Sequence, residues 1–197
     1  MPRAFTEPEQ LAIRSRLLQA GREALPRTGF RRTAIEDLTR AVGISKGAFY
    51  RFFETKEALW TALLAEGEAV ARGGIRDALA DPAPGRLRRV LRAMFRTVWD
   101  DPVLLALADP EDAAWLLRSV PADALAVARR DDDRFFGEVA SALIATGDLR
   151  PEVAPDLFAG LPGAALALAQ HPDLLGRGRA DAVVELIVDG LVARMSP

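Results

Sequence analysis

Apolar residues in this chain recur every three or four positions, and no strand-length segment alternates apolar with polar. From Glu9 to about Leu25, Leu11, Leu17, Leu18 and Leu25 mark a first helix, which Pro26 and Gly29 are expected to close. Residues 1–9, with Arg3, read as a frayed arm. Phe30 precedes the next helix as a hydrophobic staple, and Thr33-Ala-Ile-Glu36 spells a capping box. Ile35, Leu38 and Val42 form the apolar face of that second helix, which Gly43 ends. Ser45 is the expected N-cap of a third helix, Lys46 to Phe53, and Thr55 that of a fourth, from Lys56 towards Ala80.

Asp81-Pro-Ala-Pro-Gly85 is the clearest break in the chain. Beyond it, Leu87, Val90, Leu91, Met94, Phe95 and Val98 share one face of a helix over 86–99. Asp109 followed by Pro110 is a preferred helix start. A long helix follows from Pro121 to about Thr146, closed by Gly147, then an Ala/Gly-rich helix over Pro155–Gln170 and a last one over Arg179–Arg194. The pattern predicts an all-α protein of nine or ten helices, without internal repeats. It divides into a small N-terminal domain, residues 1–64, and a larger helical domain, residues 65–197.

Composition narrows the chemistry. The 197 residues contain no Cys and one His, His171, which excludes disulfides, thiolate catalysis and a His/Cys zinc site. His171 reads as a cap or surface residue at a helix end. No Gly-rich phosphate loop or nucleophile motif is present, so no catalytic residues, metal or cofactor are expected. Asp109, Glu111 and Asp112 lie close together, but capping by Asp109 accounts for that group. The opening residues lack an apolar signal region, and the longest uncharged stretch, Leu157–Gln170, is too short and broken to span a membrane. A cytoplasmic protein is expected. Its net charge is −2, unevenly spread: residues 1–60 carry 11 Lys and Arg against 7 Asp and Glu, the remainder 15 against 21. A basic head on an acidic body suits an anionic partner at the N-terminal end.

The third helix carries the most suggestive chemistry. Ser45, Lys46, Gly47 and Ala48 are small or basic and stand at its N-terminus, where close approach to a groove and phosphate attraction are both served. Tyr50 can donate to a phosphate oxygen, Arg51 can reach a phosphate or a guanine edge, and Lys56 adds a nearby cation. On spacing alone, an ordinary capped helix in a bundle explains these residues equally well. Phe49, Phe53 and Leu59 read as core.

Gly29-Phe30, Thr33, Ile35-Glu-Asp-Leu38, Val42 through Gly47, Phe49 through Phe53 and Lys56 through Leu59 together resemble the N-terminal domain of TetR-family transcriptional regulators. The resemblance covers residues 11–64 and is nearly continuous from Gly43 to Leu59. It implies a helix-turn-helix homodimer that binds a palindromic double-stranded DNA operator, most often as a repressor. A C-terminal domain would bind a small-molecule effector and pair the subunits. Carried over by position, Ser45, Lys46, Gly47 and Ala48 face the major groove, Tyr50 and Lys56 hold phosphates, and Thr33 caps the second helix near the DNA backbone. Two positions depart from the family pattern. Phe52 stands where Tyr or His is usual, and Ala34 where a second Thr is usual. Arg31, Arg32 and Arg51 are the candidates to compensate. The departures keep open a second reading, a helical small-molecule-binding or interaction module that has lost DNA binding.

Beyond residue 65 only the layout is shared. A largely apolar effector is expected among Met94, Phe95, Trp99, Trp115, Phe135 and Phe136, positions that simple core packing would also fill. The charge run Arg129–Arg134 would orient a polar ligand or form a solvated face. Helices Pro155–Gln170 and Arg179–Arg194 are the expected dimer surface, since small residues let backbones approach. Gly67–Gly74 is the expected hinge.

Overall fold

The computed structural model describes residues 5–153, 155–171 and 179–197. Arg3, in the expected N-terminal arm, lies outside them. Ten α-helices and one short 3-10 turn are found among the described residues, with no strand. They are α1 Glu7–Arg32, α2 Ile35–Val42, α3 Lys46–Phe49, α4 Lys56–Ala80, α5 Arg86–Asp100, α6 Pro102–Leu105, a 3-10 turn Ala106–Ala108, α7 Pro110–Ser119, α8 Ala122–Ala145, α9 Pro155–Ala169 and α10 Ala180–Met195.

Most helix ends fall where capping chemistry places them. Ser45 Oγ accepts from the Ala48 amide at 3.2 Å, Thr55 Oγ1 from Ala58 at 3.1 Å, and Asp109 Oδ1 from Glu111 and Asp112 at 2.9 Å each. The first helix starts earlier than expected. Thr6 donates both its amide and its hydroxyl to Glu9, so the chain is helical from Glu7 instead of frayed to residue 9. It also continues past Pro26 and breaks only at Gly29, whose φ of 68° and ψ of 177° no side-chain-bearing residue adopts readily. The expected capping box at Thr33 does not form. Ala34 is the N-cap of α2, while the Thr33 hydroxyl turns inward to the Gly29 carbonyl at 2.6 Å. The third helix is shorter than expected, ending at Phe49 and running into turns.

Two hydrophobic cores result. The first gathers Leu17, Leu18, Leu25, Phe30, Leu38, Phe49, Leu59, Trp60 and Leu63, and it draws in Val103 of α6 and Leu116 of α7. The second holds every apolar residue expected on α5, with Phe135, Phe136, Val139 and Leu143 of α8, Phe158 and Ala165 of α9 and Val188 of α10. Helix α4 runs unbroken across residue 64 and serves both cores. The head is therefore seated on α6 and α7, not only joined through α4.

The last helix is fastened to its own chain by a ladder of ion pairs. Arg88, Arg92 and Arg96 on α5 meet Asp189, Glu185 and Asp181 on α10; Arg92 reaches Glu185 at 2.6 Å and Arg96 reaches Asp181 at 3.2 Å. Both series repeat every four residues, so the helices run antiparallel with matched faces. Val184, Val188 and Met195 point inward. Leu186 points outward and is 70% exposed, beside exposed Ala182, Gly190 and Ala193. Helix α9 likewise exposes Leu157, Gly160, Ala164 and Ala167. Among the described residues no helix is long and apolar enough to cross a membrane.

Candidate nucleic-acid interface

The turn between α2 and α3 is built from inside out. Gly43 takes a left-handed conformation, φ 79°, and its amide returns to the Thr39 carbonyl at 2.9 Å, which turns the chain sharply from α2 towards α3. Phe49 is fully buried and fixes α3 against the head core, with Phe53 5.8 Å away, ring to ring. With Phe49 inward, Ser45, Lys46 and Gly47 are exposed and Ala48 is half-buried. A Cβ on Gly47 would meet nothing closer than Ser45 Oγ at 4.0 Å, so nothing in the chain requires a glycine there. Room has been left on the outer side of the turn.

Charged and polar groups surround this small-residue tip. Lys46 Nζ donates to Glu36 at 2.7 Å, and that hydrogen bond raises the Lys46 pKa and lowers that of Glu36. Tyr50 is 48% exposed, its ring edge-on to Phe49. Arg51 lies over the Phe5 ring at 5.3 Å, and Phe5 packs against Phe52 at 6.1 Å. Phe52 is thus an anchor for the chain start, a role its sequence position does not reveal. A shallow groove bounded by Phe5, Arg16, Ser45, Gly47 and Arg51 runs beside the turn.

Two expected contact residues are placed differently. Thr33 is 3% exposed and its hydroxyl bonds to Thr28 and Gly29, so it cannot reach a phosphate with its side chain. Lys56 donates to the Arg31 carbonyl at 2.7 Å and the Thr33 carbonyl at 3.1 Å and lies 4.8 Å above the Trp115 ring, where burial lowers its pKa. It binds the end of α1, with at most one donor left for a phosphate. Arg31 pairs with Glu111 at 2.7 Å, which occupies one of the expected compensating cations.

Residues 17–63 match the family model for bacterial regulatory proteins of the tetR family. The match lies within the N-terminal head, from α1 to the start of α4. Over 89 residues it is 30% identical to an HTH-type transcriptional repressor, DhaR, of Mycobacterium sp. (strain GP1); the match spans 44% of this chain and 45% of that repressor. Solved structures share the fold along nearly the whole chain. A tetR-family regulatory protein from Rhodococcus RHA1 superposes with a TM-score of 0.68 at 20% identity, covering 93% of this chain and 97% of its own. AibR, solved in complex with isovaleryl coenzyme A and operator DNA, superposes with a TM-score of 0.63 at 20% identity, covering 94% and 98%.

The body holds a cavity of about 300 Å³ between α4, α5, α6, α8 and α9. Its walls are Ile75, Met94, Val98, Leu104, Leu107, Phe136 and Leu166. Glu68, Arg72 and Asp132 form its polar end, with Arg72 and Asp132 paired at 2.6 Å. Glu68 has no hydrogen-bond or ion-pair partner among the described residues. It stands at the rim, where surface is still open to water, yet burial followed by the Asp132 charge pushes its pKa up.

Of the six aromatic and methionine candidates, Met94 and Phe136 line this cavity. The other four do not. Phe95 is buried in the second core, and the Trp99 indole donates to the Ala165 carbonyl at 3.3 Å. Trp115 belongs to the head core, and Phe135 turns to Arg72 and Arg76, which lie over its ring at 5.4 and 5.0 Å. The charge run at 129–134 divides: Asp132 reaches the cavity, while Arg134 and Asp131 pair on the outside.

Proposed function

We propose that this chain is a ligand-responsive DNA-binding regulator, acting as a homodimeric repressor on a palindromic operator in the cytoplasm, by binding and not by catalysis. The observation that carries the reading is the exposed, short-side-chain tip of α3, Ser45 to Ala48, with space left at Gly47 and Arg51, Tyr50 and Arg16 around it. A tip of that kind suits entry into a major groove, with flanking cations and hydroxyls on the phosphates. DhaR is named a repressor, and AibR was solved on operator DNA, which supports the same role here. Lys46 must exchange Glu36 for DNA on binding. Arg51 and Tyr50 are the proposed phosphate contacts, and Lys56 acts chiefly from within the head.

The exposed apolar and small-residue stripes of α9 and α10 are the proposed dimer surface; four such helices would make a bundle and set two heads apart. The cavity at Met94 and Phe136 is the proposed effector site, taking a small, mainly apolar molecule with one polar group near Glu68 and Arg72. Occupancy would favour a head spacing unsuited to half-sites about 34 Å apart.

The deciding experiment is selection of bound duplexes from a random pool, followed by fluorescence anisotropy across a salt series. Enrichment of a palindrome, with binding that weakens steeply as salt rises, is the expected result. Failure to enrich any sequence would favour the second reading, a helical binding module without DNA, for which the diversion of Phe52 to Phe5 is the supporting observation.

A further inference from the structure

We propose that Asp112 is the residue through which the body positions the DNA-reading head, and that α6 and α7 convey the state of the cavity to it. The proposal rests on the DNA-binding reading above but adds a residue that touches neither DNA nor effector.

The geometry at Asp112 is specific. The side chain comes from the first turn of α7 and is 7% exposed. Its Oδ2 accepts from the Phe30 amide at 2.6 Å and its Oδ1 from the Arg31 amide at 3.3 Å. These amides are available because the positive φ of Gly29 turns the chain out of the α1 hydrogen-bond ladder. Phe30 is fully buried, so its amide has no access to water. A Cβ on Gly29 would lie 2.0 Å from Asp112 Oδ2; the turn is closed around the carboxylate.

Segment 30–33 is gripped from both sides. Asp112 takes its amides, and Lys56 takes the carbonyls of Arg31 and Thr33. Lys56 in turn lies over Trp115, one turn along α7 from Asp112. Both grips therefore refer to α7. The next element after this segment is α2, and after its tight turn comes α3, so an error in the grip is passed directly to the reading tip.

The same elements reach the cavity. Leu104 of α6 and Leu107 of the 3-10 turn line it, three residues apart. Val103 and Leu116, on either side of them in sequence, are buried in the head core. Gly67 brings α4 to the same place, its Cβ position 3.4 Å from Leu104. An occupant that displaces Leu104 or Leu107 pushes on α6 and the 3-10 turn, and the chain passes directly from that turn into α7 and Asp112.

A purely structural staple would also make these hydrogen bonds, so the test must separate the two roles. Operator affinity across a salt series and hydrogen exchange at the Phe30 and Arg31 amides are measured in the full chain, for Asp112→Ala, Asp112→Asn, the cavity-filling Ala159→Leu, and the Asp112→Ala/Ala159→Leu double variant. Ala159 lines the cavity from α9, away from the head. Asp112→Ala should weaken operator binding tenfold or more without changing the salt slope, since no phosphate contact is lost. Asp112→Asn, which keeps one acceptor oxygen, should fall between, and it stands in if the alanine variant does not fold. Ala159→Leu should weaken binding and speed Phe30 exchange in the Asp112 background, and add less than twofold in the Asp112→Ala background. Operator affinity within twofold of wild type in Asp112→Ala, or effects that multiply in the double variant, overturns the proposal. If the wild type binds no duplex, the DNA-binding reading fails by itself. The exchange arm then still decides transmission: faster Phe30 exchange in Ala159→Leu supports it, and unchanged exchange refutes it.

Discussion

Replacing Gly29 with alanine tests the construction of the head at one atom. The substitution meets two independent penalties. The first is conformational: φ 68° with ψ 177° is a region that residues with a Cβ avoid, at a cost of about 1–3 kcal/mol. The second is steric and electrostatic. The new methyl would stand 2.0 Å from Asp112 Oδ2, so the carboxylate must leave and the buried Phe30 amide loses a charged acceptor, worth about 1.5–3 kcal/mol. Together they give about 2.5–6 kcal/mol, or roughly 5–24 °C in Tm for a chain of this size. Gly43→Ala is the internal control. It has φ 79° and ψ 34° but nothing within 4 Å of the added methyl, so only the conformational penalty applies, about 1–2 kcal/mol. Urea titration followed by far-UV circular dichroism, with a check that the slope m is unchanged, measures both. Equal losses in the two variants would refute the claim that the Asp112 carboxylate closes the Gly29 turn.

Other variants follow from the same geometry. Arg51→Ala should lower the slope of log affinity against log salt by about 0.9, one phosphate contact, while Lys56→Ala should leave the slope unchanged and lower Tm, because its ammonium serves two carbonyls. A slope loss in Lys56→Ala would return Lys56 to the DNA surface. Glu68 holds its proton more tightly folded than unfolded, so it favours the fold below the ordinary glutamate range near pH 4 and this contribution is lost as pH rises through its raised value. Glu68→Gln should therefore be more stable than wild type at neutral pH, with the difference vanishing near pH 4; calorimetry at two pH values checks this, and a neutral-pH loss of stability argues against it. Gly73→Ala and Gly74→Ala, with no atom within 4 Å of either new methyl, should each stabilise the chain by about 0.5–1 kcal/mol in thermal melts, and a fall in Tm would mean that α4 needs flexibility there.

The helices and the exposed tip of α3 were legible because they depend on local chemistry. Capping by Ser45, Thr55 and Asp109, and the apolar face of α5, involve residues within a few positions of one another. What sequence could not show was competition between local and distant partners. Thr33 and Glu36 have the spacing of a capping box, yet Thr33 finds Gly29 and Glu36 finds Lys46. Asp112 has the spacing of a residue subordinate to the Asp109 cap, yet its carboxylate serves amides some 80 positions earlier. The cavity was half legible for a similar reason: bulky side chains such as Phe95 and Trp99 fill space, whereas the cavity lies where Ala71, Ala159 and Gly163 leave it empty.

The ion-pair ladder between α5 and α10 bears on how the last helix keeps its register. Because the arginines and the acids both repeat every four residues, sliding α10 by four residues, about 6 Å, would re-form two of the three pairs. Val184 and Val188 share that interval, so those two positions of the inner apolar face do not oppose the slide. The position of α10 is fixed instead at its far end, where the Arg150 amide donates to the Met195 carbonyl at 2.9 Å and the Arg150 guanidinium to Ser196. The final residues of the chain thus act as a stop for the helix that presents Leu186 outward, and trimming them would leave that surface with two nearly equivalent settings.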